Sequence, residues 1–420
     1  MNTIFALSSG APPAAIAVVR ISGPRAGTAL QTLAGRLPPP RRAQTATLRE
    51  AGGAELDRAL VLWLPGPGTA TGEDMAELHL HGGRAVVAAV EASLEGIPGL
   101  AQAAPGEFTR RAFTNGRIDL AEAEGLADLL SAETELQRRT AMAMASGALS
   151  RQVEDWRIRV LELAAQLEAV LDFDDEDDVG QLPSDFADSI GRLRIEIEEW
   201  LARPRVEPLR EGLRVVLAGP PNAGKSSLFN ALVEHEAAIT AATPGTTRDV
   251  LERAVSLMGV PFTFIDTAGL REDAGDAIEN EGIDRALAQV DRADVVLWLG
   301  PEGLGPEGAW EIAAKSDLGR AKQHAKAAVS ATTGEGIAGL KSMLVTESRK
   351  MLPAPGTAAL SARQHDILTQ VSEALVVQSH NPLILAEEFR LARVSLDRLT
   401  GRASTEAMLD ALFGRFCIGK

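Results

Sequence analysis

The sequence predicts a multidomain chain: an N-terminal α+β domain, an α-helical domain, and a doubly wound α/β domain inserted into the helical one. Three observations predict it. Residues 1–117 alternate short apolar runs with Gly/Pro turns, the texture of strands and helices joined by tight connections. From residue 118 to about 210 the apolar positions Val153, Trp156, Val160, Leu163, Leu167 and Val170 step by three and four, which puts them on one helix face. From 213 to about 347 apolar strands alternate with helical stretches, after which helical texture resumes; Met408, Leu409, Leu412, Phe413 and Phe416 form another apolar face. Helical texture on both sides of an α/β block is what an insertion leaves. The expected boundaries are 1–117, then 118–212 together with 348–420, and 213–347 for the insert.

Taken in order, Ile16–Ile21 and Ala59–Leu64 read as strands, and Ala85–Leu94 reads as a helix after Gly82-Gly83. The acidic run Asp172–Asp178 interrupts the helical pattern and reads as a solvated loop. In the insert, Leu213–Ala218, Pro261–Ile265, Asp294–Leu299 and Lys326–Val329 read as strands. At roughly 150 residues per domain, 420 residues make two or three domains, each able to bury a core. A net charge of −16 argues against broad non-specific nucleic-acid binding, because phosphate backbones repel such a surface. An RNA role would be shared with a basic partner. The one cysteine, Cys417, excludes an intrachain disulfide and fits a reducing cytosol. A basic, then apolar leader is missing, and so is any run of about 18 apolar residues, so a cytoplasmic location without a membrane span is expected.

Chemistry concentrates in the insert. Gly219, Gly224, Lys225 and Ser226 fit G-x-x-x-x-G-K-[ST], with a strand before the motif and a helix after it, the context the motif requires. Glycines let such a loop wrap closely, so that the backbone N–H groups from Asn222 to Ser227, Ala223 included, can point at phosphate oxygens. Lys225 is then expected to bridge the β- and γ-phosphates, and the Ser226 hydroxyl to ligate Mg²⁺. Thr246-Thr247 lies in a polar loop, where Thr247 would be a second hydroxyl on Mg²⁺. Asp266-Thr267-Ala268-Gly269 follows an apolar strand about 40 residues past Lys225, so Asp266 would face the metal and the Gly269 N–H the γ-phosphate.

Base choice is expected from N-K-x-D, but the chain has Ala314-Lys315-Ser316-Asp317. The Asp317 carboxylate would still accept both N–H groups of guanine, a bidentate contact that adenine does not offer. Ser330-Ala331-Thr332 fits the element whose backbone contacts the guanine oxygen. These features favour GTP over ATP. Only ten residues, Gly300–Ala309, separate the strand ending at Leu299 from Trp310, too short for the helix and strand that a GTPase core usually places there. The domain is therefore expected to be abbreviated on its guanine side.

Further segments resemble the tRNA modification GTPase family MnmE (TrmE): Val19-Arg20-Ile21-Ser22-Gly23, Pro105-Gly106-Glu107-Phe108-Thr109 running on to Ala121-Glu122-Ala123-Glu124, and the terminal Phe416-Cys417-Ile418-Gly419-Lys420. The resemblance covers essentially the whole chain. It implies an N-terminal tetrahydrofolate-binding and dimerisation domain, a helical domain and an inserted G domain. It also implies a GTP hydrolase acting with an FAD-dependent partner, MnmG (GidA), in a heterotetramer or larger complex. Such a complex installs a (carboxymethyl)aminomethyl group at C5 of the wobble uridine of tRNA, with 5-formyl- or methylene-tetrahydrofolate as one-carbon donor.

By the same resemblance Asn222 binds K⁺, in place of an arginine finger, with Ala241, Thr243 and Thr246 completing the K⁺ shell. Glu279 aligns with the glutamate that orients the attacking water. Arg20, Glu77, Arg117 and Lys420 match folate positions, and Cys417 matches the family's suspected functional cysteine. His79 and His81, two apart on a predicted strand, share one face and are expected to serve structure or substrate rather than a metal. Two other readings use part of the same evidence. A ribosome-assembly or switch GTPase without modifying activity shares the phosphate motifs, and Ala314 with the shortened insert would also suit a degenerate, scaffold-like relative.

Overall fold

The computed structural model describes residues 2–172, 182–234, 236–238, 251–267, 287–319, 322–376, 381–403 and 405–419. It divides into two compact units, Met1–Ala127 with Asp397–Lys420, and Asp128–Leu396.

The first unit is built on a six-stranded sheet of order β3-β4-β5-β2-β1-β6. The strands are β1 (Thr3–Leu7), β2 (Ile16–Ser22), β3 (Gln44–Arg49), β4 (Glu55–Leu64), β5 (Met75–His81) and β6 (Leu100–Gln102). All neighbours are antiparallel except β1 and β6. Alternation decides the faces. Ala17, Val19 and Ile21 of β2 and Ala76, Leu78 and Leu80 of β5 point to one side, where α1 (Ala26–Ala34) and α2 (Arg84–Glu95) bury them with Leu30, Leu33, Val90 and Leu94. Each such fully buried Leu contributes about 1.5–3 kcal/mol. The opposite parity, Arg20 on β2 and Glu77 and His79 on β5, therefore lies on the other face and stays half-buried.

On that second face Ile4 and Ala6 of β1 cluster with Ala103 and Phe108. Phe108 belongs to α3 (Glu107–Thr114). The start of α4 (Leu120–Ser131) joins α13 (Glu406–Phe413) through Leu120, Ala123, Leu409, Phe413 and Phe416. The predicted apolar face near the end of the chain thus packs within the same unit as the N-terminal sheet.

In the second unit, α5 (Glu135–Ala145) starts with a reciprocal capping box between Thr134 and Gln137. It is followed by α6 (Ala148–Asp172), α7 (Phe186–Leu201) and α8 (Glu207–Glu211). The predicted stripe is buried from Val153 through Leu167, with Val170 half-buried near the end of α6. Trp156 meets Trp200 of α7 edge-on, with ring centroids 5.9 Å apart.

The α/β part carries a seven-stranded sheet of order β13-β12-β11-β7-β10-β9-β8. Its members are β7 (Leu213–Ala218), β8 (Ala237–Ala238), β9 (Leu251–Leu257), β10 (Val260–Asp266), β11 (Val295–Trp298), β12 (Trp310–Ala314) and β13 (Ala327–Val329). The five strands from β13 to β10 run parallel, and β9 and β8 are antiparallel to their neighbours. Helices α9 (Lys225–Val233) and α10 (Ile337–Ser348) supply Leu228, Leu232, Leu340 and Leu344 to its core. Helices α11 (Ala362–Ala374) and α12 (Pro382–Thr400) follow.

The shortened connection has a specific form. Trp310–Ala314 is itself the next strand, paired in parallel with β11 at Leu297↔Trp310, so the sheet keeps its strand and only the intervening helix is absent. A short loop takes that helix's place. The Trp298 indole lies so close to Gly300 and Gly305 that a Cβ at either would come within 2.3 and 2.7 Å of the ring. Its Nε1 donates to the Pro301 carbonyl at 2.9 Å. Glu302 pins the loop by accepting from the backbone N–H groups of Gln323 and His324 at 2.8 and 2.7 Å.

Candidate functional site

The parallel strands of the second unit bring the phosphate motifs together. In parallel pairing, the carboxyl ends of neighbouring strands open on the same edge of the sheet, where ligands of such folds bind. Asp266 at the end of β10 is in register with Leu217 of β7, the strand that runs into the glycine loop. Thr267 stitches the two ends, its hydroxyl donating to the Leu217 carbonyl at 2.8 Å. On the other side β11 separates β7 from β12, and β12 and β13 end at Ala314↔Val329, directly before Lys315–Asp317 and Ser330-Ala331.

Within the loop, Gly224 has φ +102°, a conformation that L side chains rarely adopt, and it caps the start of α9. Asn222 adopts φ +62° and is exposed. Ala223 is buried, whereas Ser226 and Ser227 are exposed at the helix N-terminus. Lys225 is 5% exposed, with Nζ donating to the carbonyls of Gly219 and Pro220 at 3.0 Å each. The ammonium therefore sits against the first two residues of the glycine loop, at the N-terminus of a helix whose dipole favours an anion. Lys315, in the left-handed region at φ +61°, donates from Nζ to the Asn222 carbonyl at 2.8 Å, tying the base-side turn to the loop. Asp317 is exposed in that turn, and Ser330 is fully buried, its hydroxyl accepting from Thr333 N–H at 3.2 Å.

The residues present fit a hard divalent cation. Asp266, a fully buried carboxylate, and the Ser226 hydroxyl are oxygen donors of the kind Mg²⁺ takes. Thr246, Thr247, Ala268, Gly269 and Glu279 lie outside the described residues, as do Ala241 and Thr243 of the expected K⁺ shell and Lys420 of the expected folate set.

In the first unit Arg20 and Glu77, neighbours in the β2–β5 register, are joined: Arg20 Nε and Nη2 both donate to Glu77 Oε1, at 3.1 and 3.0 Å. His79 Nε2 meets Glu77 Oε2 at 3.3 Å. His81 shares the face but turns to Asp57, with Nδ1 and backbone N 2.7 and 2.8 Å from its carboxylate oxygens. Among the described residues no group of three or more His, Cys, Asp or Glu is placed to hold a metal.

Arg117 is exposed and lies against the turn at Gly72. That turn is linked to β2 through Thr71, whose hydroxyl is 2.7 Å from Ser22, two residues along from Arg20. Glu73 joins the same network, accepting from Ser22 at 2.8 Å and from Arg111 at 3.0 Å. Sequence reasoning did not single out Thr71, Glu73 or Arg111. Their one signal was a Gly72-Glu73 turn just before β5. Near the end of the chain, Gly419 docks on β1, with its carbonyl accepting from the Ser8 hydroxyl at 2.8 Å, and Cys417 beside it is exposed. At Gly419, φ +92° and a would-be Cβ only 2.0 Å from the Leu7 carbonyl oxygen leave room for glycine alone.

A glycine loop capping a helix, a buried aspartate on the adjacent parallel strand and a Lys–Asp turn at the base-side edge define a P-loop GTPase. The comparisons with known proteins carry this further. A model of the MnmE helical domain matches residues 120–417, and a model described as GTP-binding protein TrmE N-terminus matches residues 3–117. A tRNA modification GTPase MnmE from Novosphingobium aromaticivorans is 64% identical over 435 aligned residues, covering all of both chains. Proteins of the same description from Erythrobacter litoralis and Zymomonas mobilis are 60% and 48% identical, again over the full length of both chains. The chain belongs to the MnmE (TrmE) family of tRNA modification GTPases. Among solved structures, the G domain of the T. maritima FeoB iron transporter aligns at 24% identity over 32% of this chain and 98% of that one, with a TM-score of 0.24. Among the described residues no helix is long and apolar enough to cross a membrane.

Proposed function

We propose that this GTPase acts with an FAD-dependent partner of the MnmG type to install a (carboxymethyl)aminomethyl group at C5 of the wobble uridine of tRNA. In this reading residues 1–117 form the folate-binding and dimerisation domain, 118–212 with 348–420 the helical domain, and 213–347 the G domain. The chain works as a homodimer. The observation that carries the reading is the Arg20–Glu77 pair, a half-buried carboxylate held by a guanidinium on the sheet face opposite α1 and α2. Such a carboxylate is an acceptor for the adjacent N–H donors of a pterin ring. When bound, 5-formyl- or methylene-tetrahydrofolate supplies the one-carbon unit. Arg20 holds and orients Glu77, Arg117 and Lys420 offer cationic partners to the rest of the folate, and Cys417 stands exposed near the docked tail.

At the nucleotide site Lys225 offsets phosphate charge, and Ser226, Thr247 and Asp266 serve Mg²⁺. Asn222 with the loop 241–246 holds K⁺, and Glu279 orients water. Asp317 with Ser330 and Ala331 reads guanine. Wobble-nucleoside mass spectrometry on cells carrying Lys225→Ala or Glu77→Gln tests the proposal. Loss of the C5 modification in both strains is expected; full modification in both would leave a switch GTPase without modifying activity, and full modification in the Glu77→Gln strain alone would remove the folate role of Glu77. GTP hydrolysis in K⁺ against Na⁺ tests the cation assignment, and a rate several-fold higher in K⁺ is expected. Hydrolysis at wild-type family rates would also dispose of the scaffold reading, which rests on Ala314 and the missing helix.

A further inference from the structure

We propose that His79 is a positioning residue of the Glu77 site, one that holds the second carboxylate oxygen and keeps Glu77 available to a ligand. The inference rests on the folate reading above. Strand periodicity puts Glu77, His79 and His81 on one face of β5, but the two histidines part company there. His81 is committed to Asp57. The direct cross-strand neighbours of His79 are Val18 on β2 and Leu60 on β4, both apolar, so neither competes for the ring nitrogens. Its polar partner on this face is Glu77 Oε2, 3.3 Å from Nε2. A carboxylate oxygen is the acceptor in this contact, and we assign His79 Nε2 as its donor.

The geometry at Glu77 is asymmetric. Both Arg20 donors, Nε and Nη2, fall on Oε1. Guanidinium and carboxylate otherwise favour a fork-to-fork pair, one N–H on each oxygen, and the terminal torsion of a glutamate turns easily. Fork-to-fork pairing would spend both oxygens on Arg20. The His79 N–H anchors Oε2 against that rotation and leaves a lone-pair position on Oε2 for a donor from the ligand. A carboxylate has about four such positions, and the three bonds here leave one open. The ligand class is a planar heterocycle that presents an N–H donor to Oε2, as in a reduced pterin.

The test is equilibrium binding of 5-formyl-tetrahydrofolate to the full chain, with melting curves and GTP hydrolysis measured in parallel. The variants are His79→Ala, His79→Gln, Glu77→Gln and the double variant His79→Ala/Glu77→Gln. His79→Ala is expected to weaken binding about tenfold, a loss typical of one hydrogen bond to a charged group. His79→Gln, which keeps an N–H donor, should stay within about threefold of wild type. In the double variant the His79→Ala loss should vanish, because its route runs through Glu77. The melting curves separate a lost contact from a lost fold: His79→Ala is expected to keep a folded chain while losing affinity. Wild-type affinity in His79→Ala, or an undiminished tenfold loss on top of Glu77→Gln, would overturn the proposal while leaving the folate reading intact. If the wild-type chain binds no folate, the reading itself falls, and this proposal with it.

Discussion

Lys225 and Glu91 illustrate two ways in which a charged group is held at a cost. Lys225 is nearly buried, a cost that its Nζ bonds to the loop carbonyls of Gly219 and Pro220 help to offset. In the proposed function the same ammonium meets phosphate. Lys225→Ala should lower GTP turnover by at least about 100-fold, the scale of losing one charge-stabilising group, as single-turnover hydrolysis would report. Glu91 on α2 is a separate case. Burial holds its carboxyl above the ordinary glutamate range, against a hydrogen bond from the Leu7 N–H that pulls the other way. The folded chain therefore binds this proton more tightly than the unfolded chain. That contribution is fully present below the ordinary value of 4.5 and is lost as pH rises through the raised folded value. Glu91→Gln should accordingly raise the melting temperature near pH 7, and the gain should close toward pH 4. A gain that persists unchanged at pH 4 would count against the assignment. The residues of the glycine loop were legible in the sequence because the motif is contiguous. The partnership of Glu77 with Arg20 was not, because the two stand 57 positions apart and meet only through sheet register.

At the scale of elements, the connection between β11 and β12 shows how a sheet survives the loss of a helix. Strands β12 and β13 keep their parallel register, since backbone pairing needs only the neighbouring strand. The exposed ground beside β11 is filled instead by the Trp298 side chain, wrapped by Gly300 to Gly305 and pinned through Glu302. Trp298→Ala should therefore cost about 1–2 kcal/mol, less than a fully buried aromatic, and loosen residues 300–309, a loss measurable by denaturant titration and by hydrogen exchange of that loop. An exchange pattern unchanged in the loop would refute this account. Sequence reasoning found the shortfall by counting ten residues, but a count does not say which element is dropped. The strand was kept because Trp310–Ala314 supplies the apolar edge that β11 needs, and the helix was dropped because ten residues are enough to cross between adjacent strands but not to build a helix as well.

Across the whole molecule, the folate-type residues and the phosphate motifs fall in different compact units. Ligands should then stabilise them separately. GDP at about 100 times its dissociation constant adds roughly 2.7 kcal/mol to the unit it binds. Calorimetry should show the transition of Asp128–Leu396 rising with GDP, and that of Met1–Ala127 with Asp397–Lys420 rising with 5-formyl-tetrahydrofolate. One transition that moves as a whole with either ligand would contradict this. What the sequence determined by itself is whatever depends on near neighbours: the amphipathic stripe of α6, the glycine loop between strand and helix, and the Asp266 turn after an apolar strand. Only the tertiary structure decided which distant residues meet. Register across β2 and β5 set Glu77 between Arg20 and His79, parallel pairing put Asp266 beside the glycine loop, and packing of α13 on α4 and of Gly419 beside Ser8 returned the chain's end to the N-terminal unit. The physical reason is that periodicity and motif spacing act over a few residues, whereas these contacts are selected by backbone pairing and apolar burial among segments tens to hundreds of positions apart.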